Sequence, residues 1–411
     1  MKNNKNLIAI IGIIITIIVV ITAFVVWYLI DRENERKEDL AALVLKDNLK
    51  VEFLAEKNPE EFIESLNGTL IYQEKLDTTK IGITDAKIKY ISQRGKEKER
   101  TFEVEVIDTE APIILCDETV SIKQGYEGNL KEDILSVDNA DENPKREILG
   151  SYDVNVPGKY DVKFVVTDAS GNKAEKYIEI EVYVPTSNSG DTQEPTKYEF
   201  SDIVTNYKKL KTEIGIDVSE WQDDIDWDKV KEAGVEFAFI RLGYQNGFGG
   251  KCELDDKFER NIKEANRVGI PVGVYFYSYA ATKEEAREQA YFVTEHLSGY
   301  TVDLPIAFDW ESWGSFVKQK FSLYSFNSIA KEFINFVENE ANGGWKGMLY
   351  SSKYYLENIW QAKEFDTVWL ANYTEATEYK GKYKYWQMCN TGIVDGINGD
   401  VDINIKYNNV K

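Results

Sequence analysis

Histidine and cysteine are scarce in this 411-residue chain, which has one histidine, His296, and three cysteines, Cys116, Cys252 and Cys389. Zinc sites in proteins are built mainly from closely spaced histidine and cysteine ligands, so the composition excludes a histidine-rich zinc site and a Cys-His cluster. Three scattered cysteines do not make a disulfide framework either, and only Cys252 and Cys389 are candidates for a single bridge. We expect no metal site and no cofactor in this protein.

Positive charge is also in short supply. Lysine and arginine together number 49 against 71 aspartates and glutamates, which gives a formal net charge of -22. Such a surface is repelled by phosphate backbones and by anionic membrane surfaces. The sequence therefore predicts no nucleic acid among the partners of the protein.

One long apolar run without charge extends from Leu7 to Ile30. At about 1.5 Å per residue, a helix over this run is long enough to cross a hydrocarbon core of roughly 30 Å. A cleaved signal peptide is the alternative, but the run is longer than the apolar part of such peptides, and residues 25–30 offer no cleavage site between small residues. We therefore expect residues 1–30 to form a short cytoplasmic tip and a retained single-pass membrane anchor.

Charges around the anchor predict its orientation. Lys2 and Lys5 precede it without an acid, whereas residues 31–33 carry both signs. Because positive residues stay on the cytoplasmic side, we expect the N-terminus in the cytoplasm and everything from Asp31 onward outside the cell. Residues 31–48 are charged and have leucines at helical spacing, which predicts a juxtamembrane helix.

An internal repeat follows the anchor, with matching residues such as Gly82 and Gly158 spaced 76 residues apart. Within each copy, apolar and polar residues alternate, as in residues 102–106 and 178–182. This period of two predicts strands with one buried face. We therefore predict two small antiparallel β-sandwiches, residues 49–108 and 109–184.

The repeats resemble the bacterial immunoglobulin-like domains of surface proteins. The similarity is carried by Asp108-Thr109-Glu110-Ala111-Pro112 and by Val166-Thr167-Asp168-Ala169-Ser170-Gly171-Asn172. Such domains act as spacers and, in some proteins, as ligand binders. Because these repeats hold no aromatic cluster and no conspicuous acidic metal motif, we expect spacers.

Residues 185–212 separate the repeats from the last domain. Pro185 to Thr196 is rich in threonine, serine, asparagine, glycine and proline, which predicts a flexible linker. We therefore expect the last domain to move independently of the repeats.

From Ile214 onward, short apolar runs alternate with amphipathic stretches of helical length. The predicted strands are residues 214–218, 237–242, 271–279, 305–309, 347–351, 367–371, 385–389 and 401–404, and the predicted helices are residues 227–233, 255–268, 283–296 and 323–339. Eight strands over about 200 residues indicate an α/β barrel. The last three strands are too close in sequence for full helices between them, so the barrel has fewer helices than strands.

Acidic residues lie at matching positions of three of these strands. Asp309 and Glu311 are two residues apart at the end of the fourth strand, so both side chains point the same way. The same alternation places Asp217 and Asp402 on the faces of the first and last strands that turn toward the barrel interior. We therefore expect four carboxyl groups to meet at the mouth of the barrel.

Several motifs in residues 213–411 are similar, in their order, to those of family 25 glycoside hydrolases. They are Gly215-Ile216-Asp217-Val218-Ser219-Glu220-Trp221-Gln222, Phe239-Ile240-Arg241, Gly273-Val274-Tyr275, Asp309-Trp310-Glu311, Trp369-Leu370-Ala371-Asn372-Tyr373, Trp386-Gln387 and Asp400-Val401-Asp402-Ile403-Asn404. The resemblance implies a (β/α)5β3 barrel and the activity of a cell-wall muramidase, or lysozyme. Where many members carry Tyr-His on the third strand, this chain has Tyr275-Phe276, so a substrate contact made by that histidine would be absent.

The resemblance also implies catalytic roles. Glu311 is the expected general acid, because nearby tryptophans and the charge of Asp309 both favour its protonated form. Asp309 is expected to remain ionised and to stabilise the intermediate, while Asp217 and Asp402 orient the substrate and the acid pair. Retention of configuration through a covalent or a substrate-assisted intermediate stays open, because spacing along a strand does not fix the separation of the carboxyl groups.

Aromatic and polar side chains around the acids are expected to bind sugar rings. The predicted substrate-binding residues are Trp221, Arg241, Tyr275, Tyr277, Trp369, Tyr373 and Gln387. For Arg241, an ion pair with an acid is an equal alternative. Trp386 shares a strand face with Met388 and is expected in the core.

These features together predict a membrane-anchored cell-surface muramidase that hydrolyses the β-1,4 bond between N-acetylmuramic acid and N-acetylglucosamine in the glycan strands of peptidoglycan. Two alternatives stay open. The first is a non-catalytic peptidoglycan-binding or adhesive surface protein that reuses the barrel. The second is an enzyme that acts on another wall glycan.

Overall fold

The chain divides into two units, Met1–Thr109 and Glu110–Lys411, in a computed structural model that describes residues 2–185, 195–208 and 211–408. Most of the predicted flexible linker, residues 186–194, lies outside the described residues. Each unit is described by itself below.

The first unit begins with the predicted N-terminal apolar helix, α1 (Lys2–Ala42). Within it, Ile10–Lys37 spans 28 residues and has a mean hydropathy of 3.0 in its most apolar window. None of that window is buried inside the protein. By length and composition, the helix can cross a membrane.

Six strands follow α1 in the first unit. They are β1 (Leu43–Leu45), β2 (Lys50–Glu52), β3 (Ile63–Leu66), β4 (Gly68–Gln73), β5 (Gly82–Ser92) and β6 (Glu97–Ile107). β1 pairs with β3, and the other four form a sheet in the order β2-β6-β5-β4. Leu43 is buried against Ile88 and Tyr90 of β5, so the helix that was predicted to reach Asn48 ends at Ala42 instead.

The second unit begins with a β domain that repeats this arrangement. Its elements are β7 (Ile113–Ile114), β8 (Thr119–Lys123), α2 (Leu130–Asp133), β9 (Ser136–Val137), β10 (Lys145–Leu149), β11 (Gly158–Thr167) and β12 (Lys173–Tyr183). Its four-stranded order, β8-β12-β11-β10, corresponds strand for strand to β2-β6-β5-β4, and β5 and β11 begin at the matching glycines, Gly82 and Gly158. The expectation of wholly antiparallel sheets was wrong, because the edge strands β2 and β8 run parallel to β6 and β12.

A barrel-like sheet forms the rest of the second unit. Its strands are β13 (Tyr198–Glu199), β14 (Thr212–Val218), β15 (Phe237–Gln245), β16 (Cys252–Leu254), β17 (Val272–Ser278), β18 (Ile306–Trp310), β19 (Gly347–Ser352), β20 (Val368–Ala371), β21 (Tyr385–Ile393) and β22 (Val401–Tyr407). Its helices are α3 (Phe200–Tyr207), α4 (Trp227–Glu232), α5 (Phe258–Arg267), α6 (Lys283–His296), α7 (Leu323–Asn335) and α8 (Lys353–Asn358).

Eight of these strands close a hydrogen-bonded circuit. The order is β14-β15-β17-β18-β19-β20-β21-β22, and β22 returns to pair with β14. Neighbouring strands are parallel from β14 to β21, whereas β22 is antiparallel to both of its neighbours. One α-helix follows each of the first five strands of the circuit, and the described residues after β20 form no α-helix.

Alternation along the strands separates an outer core from an inner one. The inner side chains include Phe237, Phe239 and Trp369, which form a buried cluster of their own. Gly273 lies beside them without room for a side chain, since a Cβ there would be 2.3 Å from the ring of Phe239. Aromatic rings therefore fill the lower part of the barrel, and the polar inward-facing residues lie above them, at the C-terminal ends of the strands.

The second β domain packs on the barrel. The backbone nitrogen of Leu323 donates to the oxygen of Asp138 at 2.8 Å, and that of Tyr324 donates to the oxygen of Asn139 at 3.2 Å. Val137 lies in the same buried cluster as the outer core of the barrel. The expected independent motion of the barrel was therefore wrong with respect to this domain, because the two share a continuous core.

Candidate active site

A cleft of about 360 Å³ lies at the C-terminal ends of the barrel strands. The residues predicted for the site all line it: Asp217, Trp221, Arg241, Tyr275, Tyr277, Asp309, Glu311, Trp369, Tyr373, Gln387 and Asp402. The cleft also contains Val218, Ser219, Gln222, Tyr350, Asn390 and Asp400. Inward-facing positions at strand ends account for most of this set, as the alternation predicted.

Asp309 and Glu311 lie where β18 ends, and they differ in access to solvent. Asp309 is 3% exposed, whereas Glu311 is an exposed residue of the cleft. Burial, reinforced by the neighbouring Glu311, raises the pKa of Asp309 well above its usual range. The carboxyl group of Glu311 is itself enclosed by the cleft walls although the residue as a whole is exposed, and this desolvation raises its pKa as well.

Two carboxyl groups in such a pair titrate together and keep one proton between them to a higher pH than a free carboxyl would. This differs from the expectation that Asp309 remains ionised. The physical reason is the deeper burial of Asp309, because the free energy needed to ionise a carboxyl group rises as the group is removed from water. Asp309 and Glu311 are therefore best described as sharing a proton.

Asp217 is held by two amide groups. Its Oδ2 accepts hydrogen bonds from Nδ2 of Asn404 at 2.7 Å and from Nε2 of Gln387 at 2.9 Å. Burial raises the pKa of Asp217 to about 6, while the hydrogen bonds from Asn404 and Gln387 oppose the rise because they favour the charged form. Near neutral pH, Asp217 is therefore ionised and fixed in orientation.

Two residues of this network, Tyr350 and Asn404, were not predicted for the site. The hydroxyl of Tyr350 donates to Oε1 of Gln387 at 2.9 Å, and Trp369 donates from Nε1 to Oδ1 of Asn404 at 2.7 Å. Tyr373 also donates to Oε1 of Gln387, at 3.2 Å. These bonds set both amides so that their nitrogens face Asp217. Strand alternation places Tyr350 and Asn404 inward and is the signal that could have found them.

Asp402 lies opposite Asp217 on the neighbouring antiparallel strand. Burial, followed by the charges of Asp217 and Glu311, raises its pKa to about 9. Asp402 is therefore protonated near neutral pH and presents a hydroxyl donor to the cleft, in contrast to Asp217.

The aromatic side chains at the rim are accessible. Trp221 is 78% exposed and Tyr373 is 53% exposed. Tyr275 and Tyr277 are partly buried in the wall between them and the acids. This distribution suits aromatic rings that stack on a ligand lying across the mouth.

Other aromatic positions serve the core. Trp369 touches the floor of the cleft but is 1% exposed and stacks on Phe239 at 4.5 Å, so core packing accounts for it. Trp386 is buried in the outer core, as expected. Phe276 faces outward and packs against Phe292 at 6.0 Å. A side chain at position 276 therefore does not reach the cleft, and the departure from Tyr-His removes no cleft contact.

Arg241 forms its ion pairs outside the group of four acids. Its Nε donates to Oδ2 of Asp255 and a terminal nitrogen donates to Oε1 of Glu220, both at 2.7 Å. Asp255 is buried and also accepts from the backbone nitrogen of Glu220 at 3.0 Å. Arg241 thus connects β15 to the loop that carries Trp221. Of the two roles expected for Arg241, substrate contact and an ion pair with an acid, these contacts correspond to the ion pair.

Comparison with known proteins assigns the barrel region to a family. Residues 216–397 match the family model described as glycosyl hydrolases family 25. The uncharacterized protein YegX of Escherichia coli (strain K12) is 29% identical over 201 residues, covering 46% of this chain and 68% of that protein. Lysozyme M1 of Streptomyces globisporus is 25% identical over 214 residues, covering 47% of this chain and 67% of that protein.

A solved structure is also similar over part of the chain. The modular autolysin LytC from Streptococcus pneumoniae, in complex with synthetic peptidoglycan ligand, is 26% identical, with a TM-score of 0.41. The match covers 60% of this chain and 56% of that one, so the chain spans little more than half the length of the autolysin.

Proposed function

We propose that the chain is a muramidase that cuts the β-1,4 bond between N-acetylmuramic acid and N-acetylglucosamine in peptidoglycan. The match of residues 216–397 to glycosyl hydrolases family 25 and the similarity to lysozyme M1 support the proposal. The observation that carries the proposal is the pair of acids, Asp309 and Glu311, which lie together at the end of β18 and line the cleft. Glycoside hydrolysis needs a carboxylic acid for the leaving oxygen and negative charge near the developing oxocarbenium ion. A pair that shares one proton supplies both.

Glu311 is the proposed general acid. Of the two coupled carboxyl groups, it belongs to the exposed residue and so can reach a glycosidic oxygen in the cleft. The cleft walls enclose its carboxyl group, and this burial raises the pKa of Glu311, which favours the protonated form that a general acid needs. When that proton passes to the leaving group, the pair gains a negative charge beside the forming oxocarbenium ion.

Asp309 is proposed to stabilise the intermediate. Its Oδ1 is buried and has no hydrogen-bond partner among the described residues. An N-acetyl group of the substrate carries an amide N–H that can donate to this oxygen and an oxygen that can attack the sugar carbon. The arrangement favours the substrate-assisted route to retention, with a covalent glycosyl-enzyme as the other route.

The remaining cleft residues are proposed to bind and orient the glycan strand. Asp217, ionised and fixed by two amides, accepts from sugar hydroxyl groups, and the protonated Asp402 donates to them. Trp221 and Tyr373 offer exposed rings for stacking on sugar faces. Arg241 is proposed to position the loop that carries Trp221, so that its effect on substrate binding is indirect.

The N-terminal part is proposed to place this domain in the cell wall. Helix α1 has the length and hydropathy of a membrane anchor, and Lys2 and Lys5 before it favour a cytoplasmic N-terminus. The two β domains, which share one strand order, are proposed to be immunoglobulin-like spacers. Membrane fractionation tests the anchor, since a cleaved signal peptide would release a shorter soluble chain.

Digestion of purified peptidoglycan by the detergent-solubilised full chain tests the activity. Mass spectrometry of the products should find muramic acid at the new reducing ends. Glu311→Gln keeps the size of the side chain but cannot donate the proton, so we expect at least a roughly 100-fold loss of rate. The matched control Glu284→Gln, at an exposed position of α6, should cut at the normal rate.

Other results point elsewhere. Binding to the wall without new reducing ends would support the non-catalytic surface protein. A different sugar at the new reducing ends would identify an enzyme for another bond. Normal activity of Glu311→Gln would remove Glu311 from the mechanism.

A further inference from the structure

The loop that follows the acid pair ends against the second β domain. We call residues 311–322 the acid loop and residues 133–139 the docking segment. We infer that the β domain of residues 110–184 is a positioning element for the proposed general acid, because its docking segment holds the acid loop in the conformation in which Glu311 faces the cleft. The inference rests on the proposed function for the role of Glu311, whereas the contact itself stands on the following observations.

The docking segment supplies hydrogen bonds at the start of α7, the helix that follows the acid loop. The first amides of a helix have no partner within the helix. Here the amides of Leu323 and Tyr324 donate to the carbonyl oxygens of Asp138 and Asn139 at 2.8 and 3.2 Å. The next amide donates to the side chain of Ser322, the last residue of the acid loop, at 3.1 Å. The β domain thus fixes where the acid loop ends.

An apolar contact accompanies these hydrogen bonds. Val137 of the docking segment is fully buried, in one cluster with Phe316 and Phe321 of the acid loop. Leu115 and Leu135 of the same domain also pack against this cluster. Because apolar area removed from water favours association, the contact between the domain and the barrel is a stable one.

Hydrogen bonds stabilise the turn at the end of the docking segment, and an ion pair joins the segment to the acid loop. Oδ1 of Asp138 accepts from the backbone nitrogens of Ala140 and Asp141 at 3.0 and 2.6 Å, which closes a tight turn and aims the carbonyl groups. Asp133 pairs with Lys318 of the acid loop at 3.0 Å. Because this ion pair is partly exposed, it contributes little to the stability of the contact, but it favours the observed alignment of the two segments.

Aromatic rings connect this contact to Glu311. The backbone nitrogen of Trp313 donates to the oxygen of Glu311 at 2.8 Å, and the Trp313 ring stacks on Tyr355 at 3.6 Å. Phe316 stacks on Trp313 at 6.0 Å and meets Phe326 of α7 at 4.9 Å. A shift at the start of α7 is therefore passed through packed rings to Trp313, whose backbone nitrogen is hydrogen-bonded to Glu311.

A matched pair of variants in the full-length chain tests the inference. Val137→Ala shortens a side chain in the contact, and Val162→Ala makes the same change in the separate core of the β domain. In Val137→Ala we expect amide exchange of residues 313–326 to rise about tenfold. We also expect kcat on peptidoglycan to fall about tenfold while KM changes less than about twofold. The reason is that Glu311 is displaced, whereas the rings of Trp221 and Tyr373 that stack on the sugars keep their positions. Val162→Ala should match the wild type in both readouts.

A purely structural role would affect the two variants alike, so equal exchange and equal kcat in Val137→Ala and Val162→Ala would overturn the inference. A charge swap keeps the test valid if Val137→Ala does not fold. Lys318→Asp should speed exchange of residues 313–326 about threefold, and adding Asp133→Lys should restore it. Failure of the double variant to restore exchange would also count against the inference. Amide exchange does not require activity, so a chain that cut no peptidoglycan would refute the proposed function without deciding this contact.

Discussion

Gln387 donates a hydrogen bond of 2.9 Å to Asp217, and its amide is oriented for this by Tyr350 and Tyr373, which both donate to its oxygen. Burial raises the pKa of Asp217 to about 6, and the hydrogen bonds from Asn404 and Gln387 limit this rise. Neutral amides on two other strands thus favour the ionised form of a buried acid.

Gln387→Leu should move the pH dependence of activity. Without this hydrogen bond to the charged form, the pKa of Asp217 rises above about 6. If ionised Asp217 orients the substrate, the acid-side limb of kcat/KM moves up by about one pH unit. A pH profile between about pH 4 and pH 9 measures this shift, which spans the titration of such a group. Tyr373→Phe keeps the bond between Gln387 and Asp217 and should leave the limb nearly in place.

Asp402→Asn should increase stability at neutral and alkaline pH. Folded Asp402 keeps its proton to a pH of about 9, whereas in the unfolded chain it ionises near its ordinary value. The folded state therefore binds more protons between these limits, and the stability of the wild type falls as pH rises through them. The variant lacks this loss, so we expect its stability gain over the wild type to be larger at pH 8 than at pH 5 by up to about 4 kcal/mol, at about 1.36 kcal/mol for each pH unit between them. Thermal unfolding at the two pH values checks it, and a gain that is larger at pH 5 would contradict it.

Arg241→Ala should destabilise the barrel more than it weakens substrate binding. The change leaves Asp255 buried without its positive partner, which costs about 3 kcal/mol. Urea unfolding measures the free energy. Arg267→Ala removes a surface arginine that pairs with Asp228 and should leave the unfolding midpoint unchanged. An unfolding midpoint of Arg241→Ala at the wild-type value would contradict the positioning role.

Trp221→Ala should raise KM without lowering stability. Its ring is 78% exposed at the rim, so it stacks on a ligand and supports no core. We expect KM for glycan strands to rise about tenfold with little change in kcat, since the loss falls on ground state and transition state alike. Trp227→Ala provides the contrast, because loss of this buried side chain should lower the free energy of unfolding by about 4 kcal/mol. An unchanged KM in Trp221→Ala would show that the Trp221 ring does not contribute to substrate binding.

The barrel and its cleft could be predicted from local patterns. Each predicted barrel strand overlaps an observed one, because strands impose a period of two on apolar residues. The same period shows which side chains face inward. That is why Asp217 and Asp402, far apart in sequence, could be placed in one site before their pairing on β14 and β22 was known.

Contacts between distant segments left no such signal. Strand alternation places Tyr350 and Asn404 on the inward faces of their strands, but it does not show that their side chains orient the partners of Asp217. The leucines of residues 43–45 fit a helix locally, but their burial against β5 makes them a strand. The contact of Asp138 with Leu323 joins segments on opposite sides of the predicted linker, where periodicity carries no information.

The aromatic cluster of Phe237, Phe239 and Trp369 blocks passage along the axis of the barrel. Its rings close the interior from below, and Gly273 lets the Phe239 ring approach the backbone closely enough to complete the closure. The cleft is therefore closed toward the interior of the barrel. A polymer bound in it lies across the mouth of the barrel and cannot pass through the barrel.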